Sequence, residues 1–259
     1  MSKICAFCGK PGGNREHIIA EWLTERMGAK DFPVVVGLRK EDSLTSRPPH
    51  TLKTYLTKSV CKDCNNGWMS ELEGWFQQNM GPLVEPSWPR LANDHLQLAL
   101  KQRGFLARWT LKTAVMMDSN TLADNVVSST TARELYEDKL ASDIVVDIGC
   151  IHDRNVGGII SQGFWVMNAS NVPAWQQHSE KLAFKVVIQL NHLAIRVLRA
   201  PGAKVTYFAP NKRLPLRAYP DALTPDTVNY HFHNLFEFDE ALVLQTTGLF
   251  VPTDINDLS

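Results

Sequence analysis

No stretch of this 259-residue chain stays apolar for the ~18 residues that cross a bilayer, so no membrane partner is expected. The opening MSKICAFC lacks an apolar targeting region, so no secretion signal is expected, and the expected location is the cytoplasm. Net charge is zero, so overall composition does not announce a nucleic-acid binder. There is no low-complexity segment, and no internal repeat beyond two short cysteine motifs. Cysteine itself is scarce and odd in number, five in all, which argues against a disulfide framework. In a reducing compartment, four cysteines in two CxxC pairs read as zinc ligands and Cys150 as a spare thiol. Cys150 lies in the apolar run IVVDIGCI and reads as a small core residue.

What charge there is falls unevenly. Residues 1–80 carry a small excess of Lys and Arg, and residues 81–259 an equal excess of Asp and Glu. Two basic stretches stand out. One holds Arg39, Lys40, Arg47, Lys53, Lys58 and Lys62; the other holds Lys101, Arg103, Arg108 and Lys112. Lys101, Arg108 and Lys112 would share a face of a continuous helix and are candidates to meet DNA phosphates. The plainer reading of the same face is that it is simply solvated.

The segment GPLVEPSWPR, residues 81–90, contains Pro82, Pro86 and Pro89 and cannot be one regular element. It divides the chain into an expected N-terminal domain, 1–80, a linker, 81–90, and a second domain, 91–259. In the second, HLQLALKQRGFLARWTLKTAVMMDS predicts a helix with Gly104 as its break point. TTARELYEDKLA predicts another, capped by Thr130 or Thr131. The period then changes to two. DIVVDIGCI, GIISQGFWVMN, LAFKVVIQL and HLAIRVLRA predict strands, the last two joined at Asn191-His192. Residues 201–225 read as irregular, and NYHFHNLFEF as a last strand or short helix whose His231 and His233 form a structural pair or, less simply, a metal pair. The expected fold class is α+β with an antiparallel sheet.

The chemistry is concentrated near the N-terminus. Cys5 and Cys8 (CAFC) and Cys61 and Cys64 (CKDC) are two knuckles, each letting one tight turn supply two thiolates to a tetrahedral zinc. Zinc there requires residues 9–60 to fold back so that the knuckles meet, and it would hold together a region with little continuous core. A pair of redox-active dithiols is the competing reading, but neither motif follows a thioredoxin-like strand–helix pattern. Between the knuckles, Glu16-His17 precedes apolar Ile18 and Ile19, which can anchor the backbone and leave the imidazole in a cleft. A neutral His takes a proton from water and makes the nucleophile for attack on phosphorus. Glu16 and the amide oxygen of Asn65, directly after Cys64, are acceptable ligands for a hard cation such as Mg²⁺ or Mn²⁺. Asn66 can cap the following helix. Glu71 and Glu73 on that helix are further carboxylates, read as extra ligands or, more plainly, as solvated or paired with basic neighbours.

CAFC, EHIIAEW and CKDCNNGWMSELE together resemble the HNH endonuclease superfamily, and within it bacterial and phage proteins with a closing CxxCNxGWMxxLE segment. The resemblance covers roughly the first 80 residues. It implies a zinc-stabilised ββα-metal finger, in which a hairpin and a helix clasp one catalytic ion and the four cysteines bind a separate structural zinc. It implies His17 as general base, Glu16 as a metal ligand, and Asn65 in the position where many members carry a ligand His. The implied activity is metal-dependent hydrolysis of phosphodiester bonds in DNA, including nicking, in the setting of phage defence or restriction. For residues 91–259 the expectation is open between presenting DNA, binding a partner protein and sensing a signal. Two departures stand out. The stretch HTLKTYLTKSVC before the second knuckle lacks the family's middle Asn, which pins the hairpin loop and orients the His; Thr57 or His50 takes over that role, or it is dispensed with. Asn65 is also a weaker ligand than His. The alternative is therefore a catalytically degenerate, zinc-stabilised DNA- or protein-binding module.

Overall fold

The computed structural model describes residues 3–31, 33–34, 37–40, 43–46, 50–86, 92–120, 127–150, 158–163, 184–199, 203–205, 216–220 and 250–252. His231 and His233 lie outside the described residues, as do the side chains of His50 and Cys150. The fold is α+β with antiparallel sheets.

The N-terminal part begins with β1 (Asn14–His17) and α1 (Glu21–Arg26). Four short strands follow: β2 (Pro33–Val34), β3 (Gly37–Lys40), β4 (Ser43–Ser46) and β5 (His50–Thr51). Then come β6 (Leu56–Val60), a single helical turn α2 (Lys62–Cys64) and α3 (Ser70–Asn79). β1 pairs antiparallel with β6, β2 with β5, and β3 with β4. Between α2 and α3 the chain makes a wide turn, Asn65–Met69, in which Gly67 leaves helical geometry. Residues 14–17, 56–60 and 62–79 thus run strand, strand, helix, with α1 and β2–β5 inserted between the strands.

The part of the chain after the prolines contributes α4 (Ala92–Lys101), α5 (Arg103–Asp118) and α6 (Ser129–Tyr136). It continues with β7 (Ile144–Cys150), β8 (Gly158–Gly163), β9 (Phe184–Leu190), β10 (Leu193–Arg199), β11 (Ala203–Val205), β12 (Leu216–Tyr219) and β13 (Phe250–Pro252). β11 pairs with β13, and the other five strands form one antiparallel sheet in the order β12-β7-β10-β9-β8. The helix break falls at Gln102, whose ψ of 35 leaves the helical range, and Gly104 sits inside α5. The α6 cap is Ser128, whose Oγ accepts from the Thr131 N–H at 3.1 Å. It lies two residues before the earlier of the expected caps.

α5 is the wall the two parts share. From Leu106 to Asp118 nearly every residue is buried, as expected of a helix enclosed on most sides. It packs on α3 and, elsewhere on its surface, on β7, β10 and β12. The Phe76 and Trp109 rings stack 3.5 Å apart at 14°. Ile144, Val146, Ile148, Ile188, Ile195 and Val197 alternate onto the same core, which runs without interruption to the cysteines. Residues of opposite parity, such as Val145, Val187 and Ala194, are buried too, which explains the near-continuous apolar lettering of these strands. Among them Arg196 and Asp147, cross-strand partners, form a buried ion pair at 2.7 Å.

Within the segment read as a linker, Gly81–Val84 is a 3-10 turn with Leu83 and Val84 fully buried. The β9–β10 hairpin docks there. Asn191 adopts a left-handed φ of 52 and donates through Nδ2 to the Val84 carbonyl at 2.8 Å and the Met27 carbonyl at 3.2 Å. Asn191→Gly keeps the turn accessible and removes only these two bonds. It is expected to cost about 2 kcal/mol by stranding two buried carbonyls, read as a lowered midpoint of denaturant unfolding.

Candidate metal centre and adjoining residues

Backbone pairing brings the two knuckles together. The first knuckle turns on Gly9, at φ +74, with the Gly9 N–H bonded to the Cys5 carbonyl at 3.0 Å. Gly12 lets the chain pass close behind it, since a Cβ there would lie 3.1 Å from the Cys5 nitrogen. The knuckle then reaches β6: Ala6 N–H donates to the Ser59 carbonyl at 2.8 Å, and Gly13 N–H to the Lys58 carbonyl at 3.0 Å. β6 leads directly into Cys61. All four cysteines are buried, and their sulfurs lie within 4.8 Å of one another. Cys5 and Cys64 sulfurs are 3.9 Å apart and those of Cys8 and Cys61 3.5 Å, far beyond the ~2.05 Å of a disulfide. Metal–sulfur bonds of ~2.3 Å in a tetrahedron place sulfurs ~3.8 Å apart, so this cluster could hold a metal ion. Among the described residues no other group of three or more His, Cys, Asp or Glu side chains converges in this way. Burial pushes the Cys8 and Cys64 thiols up. Burial acts the same way on Cys61, yet its thiol ends below the ordinary value because the Cys64 N–H and the neighbouring thiols bond to it. A bound cation would offset the burial that opposes ionisation of Cys8 and Cys64.

β1 and the end of α2 then set the second constellation. Glu16 stands opposite Thr57 across the β1–β6 ladder, beyond a bulge that follows Asn14. Asn65, carried just past Cys64, donates through Nδ2 to Glu16 Oε2 at 2.5 Å. The two residues are 49 apart in sequence, and the knuckle pairing brings them together. The Glu16 carboxyl is raised above its ordinary value by burial, against the pull of Asn65 and the positive charge of Lys112. His17 follows on β1, partly buried, and its Nε2 lies 3.1 Å from the Lys53 carbonyl. A carbonyl only accepts, so Nε2 donates, and in the neutral form of the ring the lone pair lies on Nδ1. Nδ1 has no partner among the described residues.

Several expected roles change. Thr57 does not take the missing Asn's place beside His17. It is buried, and its hydroxyl bonds the Ser59 hydroxyl at 2.7 Å. Lys112 is not a DNA-facing cation. Its ammonium is buried and paired with Glu73. Glu73 Oε1 also accepts from the Trp109 indole at 3.1 Å and Glu73 Oε2 from the Trp22 indole at 3.2 Å, so this carboxylate ties α1, α3 and α5. Of the readings for Glu73, pairing with a basic neighbour is the one observed, and that neighbour is Lys112. Arg108 bonds Asp138 at 2.6 Å and lies over the Trp68 ring, while Lys101 is exposed on α4. With the helix broken at Gln102, Lys101 does not share a continuous face with Arg108 and Lys112.

From α6, Arg133 donates to the Cys8 carbonyl at 2.7 Å, a hold on the first knuckle from 125 residues away that spacing rules did not disclose. No family model, curated protein or solved structure matches this chain, so the reading of the site rests on its own residues and geometry.

Proposed function

We propose that this protein is a metal-dependent endonuclease that hydrolyses phosphodiester bonds in DNA, as the HNH resemblance implies. The observation that carries the reading is the Glu16–Asn65 contact, with the free Nδ1 of His17 on the next residue and the cysteine cluster alongside. The four sulfurs hold zinc, which suits a closed, all-thiolate site with no ligand position left for chemistry. Glu16 and the Asn65 amide oxygen are the residues that would hold Mg²⁺ or Mn²⁺. One half-buried carboxylate and one amide fit an ion that keeps several waters and takes further oxygens from a substrate phosphate. When bound, that ion supplies charge neutralisation at the phosphate. His17 takes the proton from the attacking water through Nδ1, and the Lys53 carbonyl holds the ring in the tautomer that leaves Nδ1 basic.

The test is a supercoiled-plasmid assay with Mg²⁺ and with Mn²⁺. Conversion to nicked or linear DNA that stops when EDTA removes the divalent ion is the expected result. Retention of DNA without cutting in every metal would reject the enzyme and favour the degenerate binding module.

A further inference from the structure

The geometry points to Thr54 as the positioning residue for the His17 imidazole. This rests on the reading of His17 as the base. The imidazole has one hydrogen-bond partner among the described residues, the carbonyl of Lys53, and that carbonyl sits in a three-residue 3-10 turn, Leu52–Thr54, between β5 and β6. So short a turn holds its shape only if something outside its own ladder fixes it. Thr54 does this. Its hydroxyl accepts from the Thr51 N–H at 3.2 Å and lies 3.1 Å from the Thr51 carbonyl, to which it donates. It also lies 3.2 Å from the Thr51 hydroxyl. The turn is clamped on two further sides. Lys53 N–H donates to the Lys30 carbonyl at 3.1 Å, and Ile18 N–H donates to the Tyr55 carbonyl at 3.1 Å, fixing the strand that carries His17 relative to the turn. The Lys53 carbonyl therefore has little freedom except through rotation of its own peptide, and the Thr54 hydroxyl closes the turn that limits this rotation. Among the described residues no side chain hydrogen-bonds the ring; a threonine acts on it through the adjacent peptide.

The test compares Thr54→Val, which keeps the shape and removes the hydroxyl, with Thr54→Ser, which restores it. Full-length protein labelled at histidine is read by NMR, with the His17 ring assigned from its loss in His17→Ala. The parent protein should show the Nε2–H tautomer alone. Thr54→Val should show a mixture of tautomers and a plasmid-nicking rate lower by on the order of tenfold to a hundredfold, the scale of an ångström-level misplacement. Thr54→Ser should recover both. Unchanged zinc content in all three proteins separates this from general unfolding, and Thr54→Ala replaces Thr54→Val if that variant does not fold. A Thr54→Val protein with the parent tautomer overturns the inference, as does a mixed tautomer with the parent rate. Should the parent not nick DNA at all, the nuclease reading falls on that result, and the tautomer comparison alone decides the role of Thr54.

Discussion

His17→Ala should abolish plasmid nicking, lowering the rate by on the order of 10²–10⁴, while the protein stays folded and keeps its zinc. The imidazole lies outside the main core and makes one hydrogen bond, to a backbone carbonyl, so its removal leaves packing nearly intact. Its loss should cost stability of about 1 kcal/mol or less. Activity and stability therefore separate at this residue. The measurement is a nicking time course with a thermal unfolding curve and a zinc assay on the same preparation. Parent-like nicking by the variant would remove His17 from the reaction. A variant that neither cuts nor folds would show that the ring has a structural role which the contacts around it do not reveal.

Cys64→Ser should have the largest effect on stability. Structural zinc in small peptides contributes about 10–16 kcal/mol at neutral pH, and three sulfurs with a buried hydroxyl recover only part of that. A loss of about 4 kcal/mol, or a melting temperature lower by roughly 10 °C, is a modest expectation. The damage should spread, because Cys64 sits at the end of α2 directly before Asn65, so the Glu16–Asn65 contact depends on it. The parent protein should also respond to acid in a defined direction. Burial raises the Cys8 and Cys64 thiols, so metal must displace their protons. Metal affinity should fall as pH falls, and a chelator that is slow at alkaline pH should strip the site faster near neutrality. Zinc release measured with a metallochromic dye checks this. Release that speeds up as pH rises would contradict it.

The knuckles are readable because two CxxC motifs state their own geometry, and the hairpin at Asn191-His192 because its flanking runs are rich in β-branched residues and Asn tolerates the left-handed turn. Sequence spacing expects Glu16 and the Asn65 amide oxygen as two ligands of one ion; the bond observed between these residues runs from the amide nitrogen to the carboxylate, which no spacing rule specifies. Lys112 misled because its spacing from Arg108 reads as a surface face, whereas helix α5 has no solvent face at that level and the charge is met by Glu73. The partner of His17 was invisible for a different reason. It is a main-chain oxygen, which every residue possesses and no letter records. The break at Gln102 instead of Gly104 shows the limit of residue propensity, since glycine permits a kink but tertiary packing chooses where one occurs.

The stacked Phe76 and Trp109 rings, the Asn191 side chain on two carbonyls and the Arg133 hold on the Cys8 knuckle all cross between residues 1–86 and the later helices and sheet. A jaw-like closure about residues 81–86 would have to sever all three and expose Leu83 and Val84 to water. These contacts hold the two parts together as one packed unit. On the nuclease reading, any adjustment needed to seat a phosphate at Glu16 and Asn65 would fall on the nucleic acid more than on the relative placement of the two parts.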